Sequence, residues 1–170
     1  MSAEPTGAPR RRPHWAIFAG LAIAVGIADQ LLKAWVVATF DDARPTELLG
    51  DWLRIAITQN SGALFGLFRD QAGLFALFSL IVVGGIVWFH GRAGRQLLLS
   101  IALGLLLGGA IGNLVDRIRL GYVVDFVDMG IGAWRFYTYN IADAAITTSI
   151  VMLIVLSLFP GFAARLDRDA

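Results

Sequence analysis

Residues 97–117 read LLLSIALGLLLGGAIGNLVDR. From Leu97 to Val115 the run is apolar or small except at Ser100 and Asn113. That is close to the roughly 20 residues a helix needs to cross a hydrocarbon core. Gly104, Gly108 and Gly112 recur at every fourth position, a ridge that lets a neighbouring backbone approach where lipid gives no hydrophobic drive. The run then stops in polar groups. Asn113, Asp116 and Arg117 stand at i, i+3 and i+4, so one helix face carries an amide, an acid and a guanidinium.

Three further runs have the same character: Trp15–Phe40, Leu74–Phe89, the shortest, and Ile141–Phe159. Ala22-Ile23-Ala24 resembles a secretory cleavage site, but the apolar pattern continues to Phe40, so the first run reads as a span. Gly20, Ala24 and Ala28 form a second small-residue ridge, read as helix packing. The chain is 57% hydrophobic and 16% charged, with a mean hydropathy of +0.68. A water-soluble domain of 170 residues would expose much of that surface, and a bilayer is the simpler solvent.

Composition also excludes chemistries. A net charge of +1 without a basic stripe gives no nucleic-acid footprint. With no cysteine there is no thiol nucleophile, disulfide framework or Cys-ligated zinc. His14 lies by the N-terminal basic cluster and His90 in a second basic loop, His90–Gln96, so neither has a metal-ligand or triad partner. Carboxylates, amides, hydroxyls and a few cations remain.

Residues 1–13, with the Arg10-Arg11-Arg12 triplet, read as a disordered cytoplasmic tail. Four spans place both termini and the 90–96 loop on one side, with Arg10, Arg11, Arg12, Arg92, Arg95, Arg165 and Arg168. Arg44, Arg54, Arg69, Arg117, Arg119 and Arg135 fall on the other, so the balance is nearly even. The triplet beside the first span tips it to both termini inside. Arg69 by Asp70, and Arg117 and Arg119 by Asp116, read as local pairs. Of the outer segments, 41–73 contains a short strand pattern over Leu53–Gln59, followed by a turn bracketed by Gly62 and Gly66. The other, 116–140, mixes Asp125, Asp128 and Arg135 with aromatics, as an interfacial segment does.

Ionisable groups within a span cost roughly 2.5–3.5 kcal/mol each and need partners or a task. Asp29 and Lys33, four apart with the acid first, read as a structural ion pair. Asp116 has Arg117 adjacent, which would hold it ionised. Asp125 sits in the apolar tetrad Val123–Phe126, and Asp143 enters the fourth run three residues after Asn140, a natural N-cap, with Ala142 leaving room beside it. Two carboxylates held close cannot both ionise. One keeps its proton and the other becomes a base for water. Spacing alone leaves the pair open among Asp116, Asp125, Asp128 and Asp143.

The ordered motifs Asp29–Lys33 (DQLLK), Asn60–Gly66 (NSGALFG), Gly108–Arg117 (GGAIGNLVDR), Gly121–Phe126 (GYVVDF) and Asn140–Asp143 (NIAD) resemble the bacterial lipoprotein signal peptidases, signal peptidase II. Leu32 and Tyr139 depart from residues common there, threonine and phenylalanine, without touching a polar motif position. The resemblance implies an all-α membrane fold of four transmembrane helices with a small extracytoplasmic β-platform (41–70) and an interfacial lid segment (126–138). It implies a peptidase domain over 14–160, a cytoplasmic tail over 161–170, and a monomer in the bacterial plasma membrane among its lipids. It implies an aspartic endopeptidase active near the outer face, without cofactor or metal, that cuts diacylglyceryl-modified prolipoproteins N-terminal to the lipidated cysteine. Asp125 and Asp143 would be the catalytic dyad. Asn113, Asp116 and Arg117 would shape the site, Asn60 and Asn140 would bond substrate backbone with Gly62 beside them, and Asp29–Lys33 would brace the first helix.

Two alternatives differ in class. A Ser/Lys peptidase would use Ser61 and Lys33, but Lys33 has an acid partner and Ser61 sits in a glycine turn. A proton-coupled transporter would use Asp29, Lys33 and Asp143, yet the polar residues gather at one membrane face and no inverted repeat is visible.

Overall fold

The computed structural model describes residues 13–61 and 72–161. Gly62, the turn expected between it and Gly66, Arg69–Asp70 and both charged tails except Pro13 and Gly161 lie outside the described residues. Among the described residues, four helices are long and apolar enough to cross a membrane: α1 (Trp15–Thr39), α2 (Ala72–Ala93), α3 (Leu97–Leu120) and α4 (Ile141–Leu158). Between them run β1 (Thr46–Glu47), β2 (Leu53–Asn60), β3 (Val123–Ile131) and β4 (Trp134–Arg135).

The glycine-bearing helix α3 is the hub, packing on α1, α2 and α4. It is mostly buried, while the other three turn most of their apolar surface outward, as lipid-facing helices do. The glycines explain the hub. A Cβ at Gly104 would lie 2.9 Å from the Phe18 carbonyl oxygen, and one at Gly108 would lie 2.7 Å from Val25 Cβ. On the adjoining face, a Cβ at Gly109 would meet the Ala142 carbonyl oxygen of α4 at 2.5 Å. The ridge on α1 behaves otherwise: Gly20, Ala24 and Ala28 are exposed. Because α3 supplies the clearance, α1 can present side chains to it, and Phe18 and Ala22 form a core with Ile86, Leu103 and Leu107.

All strand pairs are antiparallel, in the order β1-β2-β3-β4. β2 pairs with β3 from Leu53 opposite Met129 to Asn60 opposite Val123, with an irregularity between Ile55 and Thr58. The platform therefore draws on both outer segments. The 126–138 stretch lies within it, as β3 and the β3–β4 hairpin turning at Gly132 (φ +57°). Val36 at the sheet end of α1 packs on Ile55 and Phe126, which fixes the sheet to the bundle. α3 runs two residues past Ile118 and stops at Gly121, whose φ of +81° turns the chain directly into β3.

At the opposite end of the bundle, His90 belongs to the last turn of α2 rather than to a loop. It is fully buried, stacked on Phe18 with ring centroids 3.9 Å apart, and its Nε2 bonds Ser100 Oγ at 3.1 Å. The apolar cover of Trp15 and Phe18 and the Ser100 hydroxyl make a structural histidine of it.

Candidate active site

Where the sheet meets the last turns of α3 and the first turn of α4, a group of polar side chains is shut away from solvent. Asp29, Lys33, Asn113, Asp116, Asp125 and Asn140 are all buried there. Each is placed by an element the sequence specifies. α4 begins at Asn140, whose side-chain oxygen accepts from the Asp143 N–H at 2.9 Å, while the Asp143 carboxylate accepts from the Asn140 N–H at 3.2 Å. This reciprocal capping box fixes the Asp143 side chain at the helix N-terminus. The side-chain nitrogen of Asn140 then points the other way and donates to Asp125 Oδ1 at 2.7 Å. One residue thus joins the two carboxylates, one on a strand and one on a helix.

Asn60, at the end of β2, donates to Asp125 Oδ2 at 3.1 Å. Asn113 donates to Asp143 Oδ1 at 2.8 Å. Both oxygens of each aspartate therefore face amide donors. Burial first, then the nearby negative charge of Asp143, push the Asp125 carboxyl up from 3.8 to about 6, against the hydrogen bonds of Asn60 and Asn140 and the charge of Lys33. The geometry brings Asp125 to Asp143 and leaves the other two candidates elsewhere.

Asp116 lies behind β3, fully occupied. Its Oδ2 accepts from the Val124 N–H at 3.1 Å and lies 2.8 Å from Lys33 Nζ, and its Oδ1 accepts from Gln30 at 2.8 Å. Its cation is thus Lys33 from another helix and not the adjacent Arg117, whose guanidinium lies over the Phe75 ring at 5.9 Å. Arg119 likewise turns away from Asp116 to reach Gln30 Oε1 at 3.4 Å. A helix explains the first: adjacent residues point about 100° apart, whereas α1 packs directly against the Asp116 face. Asp128 is held by Arg54 at 2.6 Å and Arg135 at 2.9 Å. Its burial is outweighed by those hydrogen bonds, and its carboxyl stays below the usual carboxylate range. Asp51 completes this group, accepting from both arginines and from the Gly132 N–H, and clamps the β3–β4 hairpin to β2.

The Asp29–Lys33 pair does more than brace α1. Lys33 Nζ lies 2.7 Å from Asp29 Oδ2, and Asp29 Oδ1 accepts from the Ala142 N–H at 3.0 Å, so α1 caps the first turn of α4. Among the described residues, Lys33 Nζ bonds Asp29, Asp116 and Asn113 rather than Ser61. Sequence reading missed Gln30, which donates to Asp116 and to the Gly112 carbonyl, and its place one residue after Asp29 in a span was the available signal. Among the described residues no cluster of three or more His, Cys, Asp or Glu is disposed to hold a metal. A cleft of about 350 Å³ between the end of α1 and the sheet, lined by Phe40, Ile57, Gln59, Tyr122 and Val124, includes neither aspartate of the joined pair.

Comparison with known proteins gives one answer. The family described as signal peptidase (SPase) II matches residues 21–159. The lipoprotein signal peptidase of Syntrophomonas wolfei is 37% identical over 153 residues, covering 90% of this chain and 99% of that one. That of Shewanella oneidensis is 37% identical, covering 87% and 86% respectively. A solved structure described as a bacterial membrane enzyme, determined in meso at 1.9 Å resolution, superposes with a TM-score of 0.80 at 29% identity over 89% of this chain and 98% of that one.

Proposed function

The chain belongs to the signal peptidase II family, and from that premise we propose that it is an aspartic endopeptidase cutting diacylglyceryl-modified prolipoproteins N-terminal to the lipidated cysteine. Family membership makes it a multi-pass bacterial membrane protease that removes lipoprotein signal peptides. The dyad is Asp125 and Asp143. The observation that carries this reading is Asn140, which bonds Asp125 with its side chain and Asp143 with its main chain.

Asp125, raised to about 6, is the acid, and Asp143 is the base. Asp143 takes a proton from water as the oxygen attacks the scissile carbonyl, and Asp125 donates to the oxyanion that forms. As the tetrahedral intermediate collapses, the C–N bond breaks, the departing amine takes the proton from Asp143, and a hydroxyl of the intermediate returns a proton to Asp125 as the carbonyl re-forms. Asn60 is placed to bond the peptide, and Asp29, Lys33, Asn113 and Asp116 hold the two carboxylates in place. The sheet end of the bundle faces the outside and both termini the cytoplasm, so the scissile bond, next to a membrane-embedded lipid, meets the dyad at the bilayer surface.

The test is cleavage by the purified chain of a prolipoprotein peptide with and without diacylglyceryl on its cysteine. The lipidated peptide is expected to yield a product beginning at that cysteine, with the unmodified peptide left intact. Equal cleavage of both would remove the lipid requirement, and a cut elsewhere would remove the site assignment.

A further inference from the structure

We propose that Lys33 is a positioning residue for the dyad: bonded to the Asn113 amide oxygen, it holds that amide so that its NH₂ faces Asp143, which commits Asp143 to the role of base. The inference rests on the dyad reading above.

An ammonium has three protons and no acceptor. Lys33 is 4% exposed, and its three neighbours are Asp29 Oδ2 at 2.7 Å, Asp116 Oδ2 at 2.8 Å and Asn113 Oδ1 at 3.1 Å. The first two contacts balance its charge. The third goes to a neutral amide and has a directional consequence instead. Asn113 Oδ1 also accepts from Asn140 Nδ2 at 3.1 Å. Turning the Asn113 amide over would set its NH₂ against two donors, one of them charged and neither with an acceptor to offer there. Its nitrogen is therefore directed to Asp143 Oδ1, at 2.8 Å.

The consequence falls unequally on the dyad. Asp143 receives the locked Asn113 amide on one oxygen and the Asn140 main-chain N–H on the other. Both of these donors are held in place, the amide by Lys33 and Asn140 and the N–H by the capping box. Asp125 Oδ2 is met by Asn60 at the exposed end of β2, a donor that solvent reaches. The charged groups that face Lys33 are Asp29 on its own helix, Asp116 on α3 and, at longer range, Asp125 on β3, while Arg117 of α3 and Asp143 of α4 act on Asp125 and on each other. Among the described residues, only Asp29 and Asp116 pair with it directly. Its influence on Asp143 runs through the amide.

The experiment measures kcat and KM for a diacylglyceryl-cysteine peptide with Lys33→Met, Asn113→Leu and the double variant of the full chain. Each single change is expected to lower kcat about 100-fold, the scale of one lost active-site donor, with KM within about twofold. The double variant is expected to be no slower than Asn113→Leu alone, because the lysine acts through that side chain. Losses that multiply in the double variant would overturn the proposal. Lys33→Met strands two buried carboxylates and can prevent folding. Asn113→Asp is therefore the second arm: it keeps an oxygen for Lys33 and removes the donor to Asp143. It is expected to lose kcat as Asn113→Leu does, and near-wild-type turnover would equally overturn the proposal. Asp125→Asn and Asp143→Asn run in the same assay. Turnover in either defeats the dyad reading itself, whereas two silent variants with multiplying losses defeat only the role of Lys33.

Discussion

Removing the charge from Asp125 is expected to stabilise the protein while it silences the enzyme. The carboxyl is 2% exposed, and burial, followed by the charge of Asp143, lifts it from 3.8 to about 6. A rise of about two pH units corresponds to about 3 kcal/mol. The folded chain holds this proton more tightly than the unfolded chain does. Below about pH 4 both states carry it, and the group costs the fold nothing. Between about pH 4 and 6 the unfolded state ionises first and the penalty grows, reaching its full size above about pH 6. Asparagine has nearly the same shape, carries no charge and keeps an oxygen for Asn140 Nδ2. Asp125→Asn is therefore expected to match wild type in stability near pH 4 and exceed it at pH 8 by up to about 3 kcal/mol. For a chain of this size that is a Tm gap of roughly 6–12 °C. Thermal unfolding of both proteins in one detergent at the two pH values reads it out, since titrating groups remote from the Asp125–Asp143 pair are shared and cancel. A gap that is the same at both pH values, or a variant less stable at pH 8, would refute the reasoning.

Three further outcomes follow from the geometry. Gly109→Ala would place a methyl 2.5 Å from the Ala142 carbonyl oxygen and 2.7 Å from Ile146 Cγ1, so it is expected to cost about 1–3 kcal/mol, measured as a lowered Tm. Ser61→Ala is expected to retain wild-type kcat on a lipidated peptide, and its complete loss would restore the Ser/Lys alternative. Asp128→Asn leaves Arg54 and Arg135 without their shared anion and is expected to lower stability at neutral pH. Because Asp128 is held below the usual carboxylate range, that deficit should shrink as pH falls through the acid range, when wild type loses the same interaction.

Much of the bundle was legible because lipid imposes a simple rule on sequence: a long apolar run must be a helix. The glycines at 104, 108 and 112 marked the crowded helix for the same reason, since a missing side chain is visible in sequence and its effect is local. Contacts between elements were harder to read. Asp116 stands next to Arg117 in sequence and is paired with Lys33 across the bundle, because adjacent helical residues diverge while α1 and α3 converge. The Arg54–Asp128–Arg135 group depends on the β2–β3 register and the β3–β4 hairpin, which no local periodicity encodes. The small residues of α1 failed as a guide because small side chains are equally tolerated on an exposed helix face, where Gly20, Ala24 and Ala28 lie. At the candidate site the individual residues were legible as polar intruders in apolar runs. That Asp125 meets Asp143 was not readable from spacing, since a strand and a helix separated by 17 intervening residues are joined there through Asn140.

The most direct measurement of the central claim is single-turnover cleavage of a diacylglyceryl-cysteine prolipoprotein peptide by wild type, Asp125→Asn, Asp143→Asn and Asp116→Asn, each purified from the membrane fraction and shown to be folded. The account predicts no detectable cleavage by the first two variants and measurable cleavage by Asp116→Asn, whose amide oxygen can still accept from the Val124 N–H. Wild-type-like cleavage by Asp125→Asn or Asp143→Asn, with Asp116→Asn the silent variant, would contradict it.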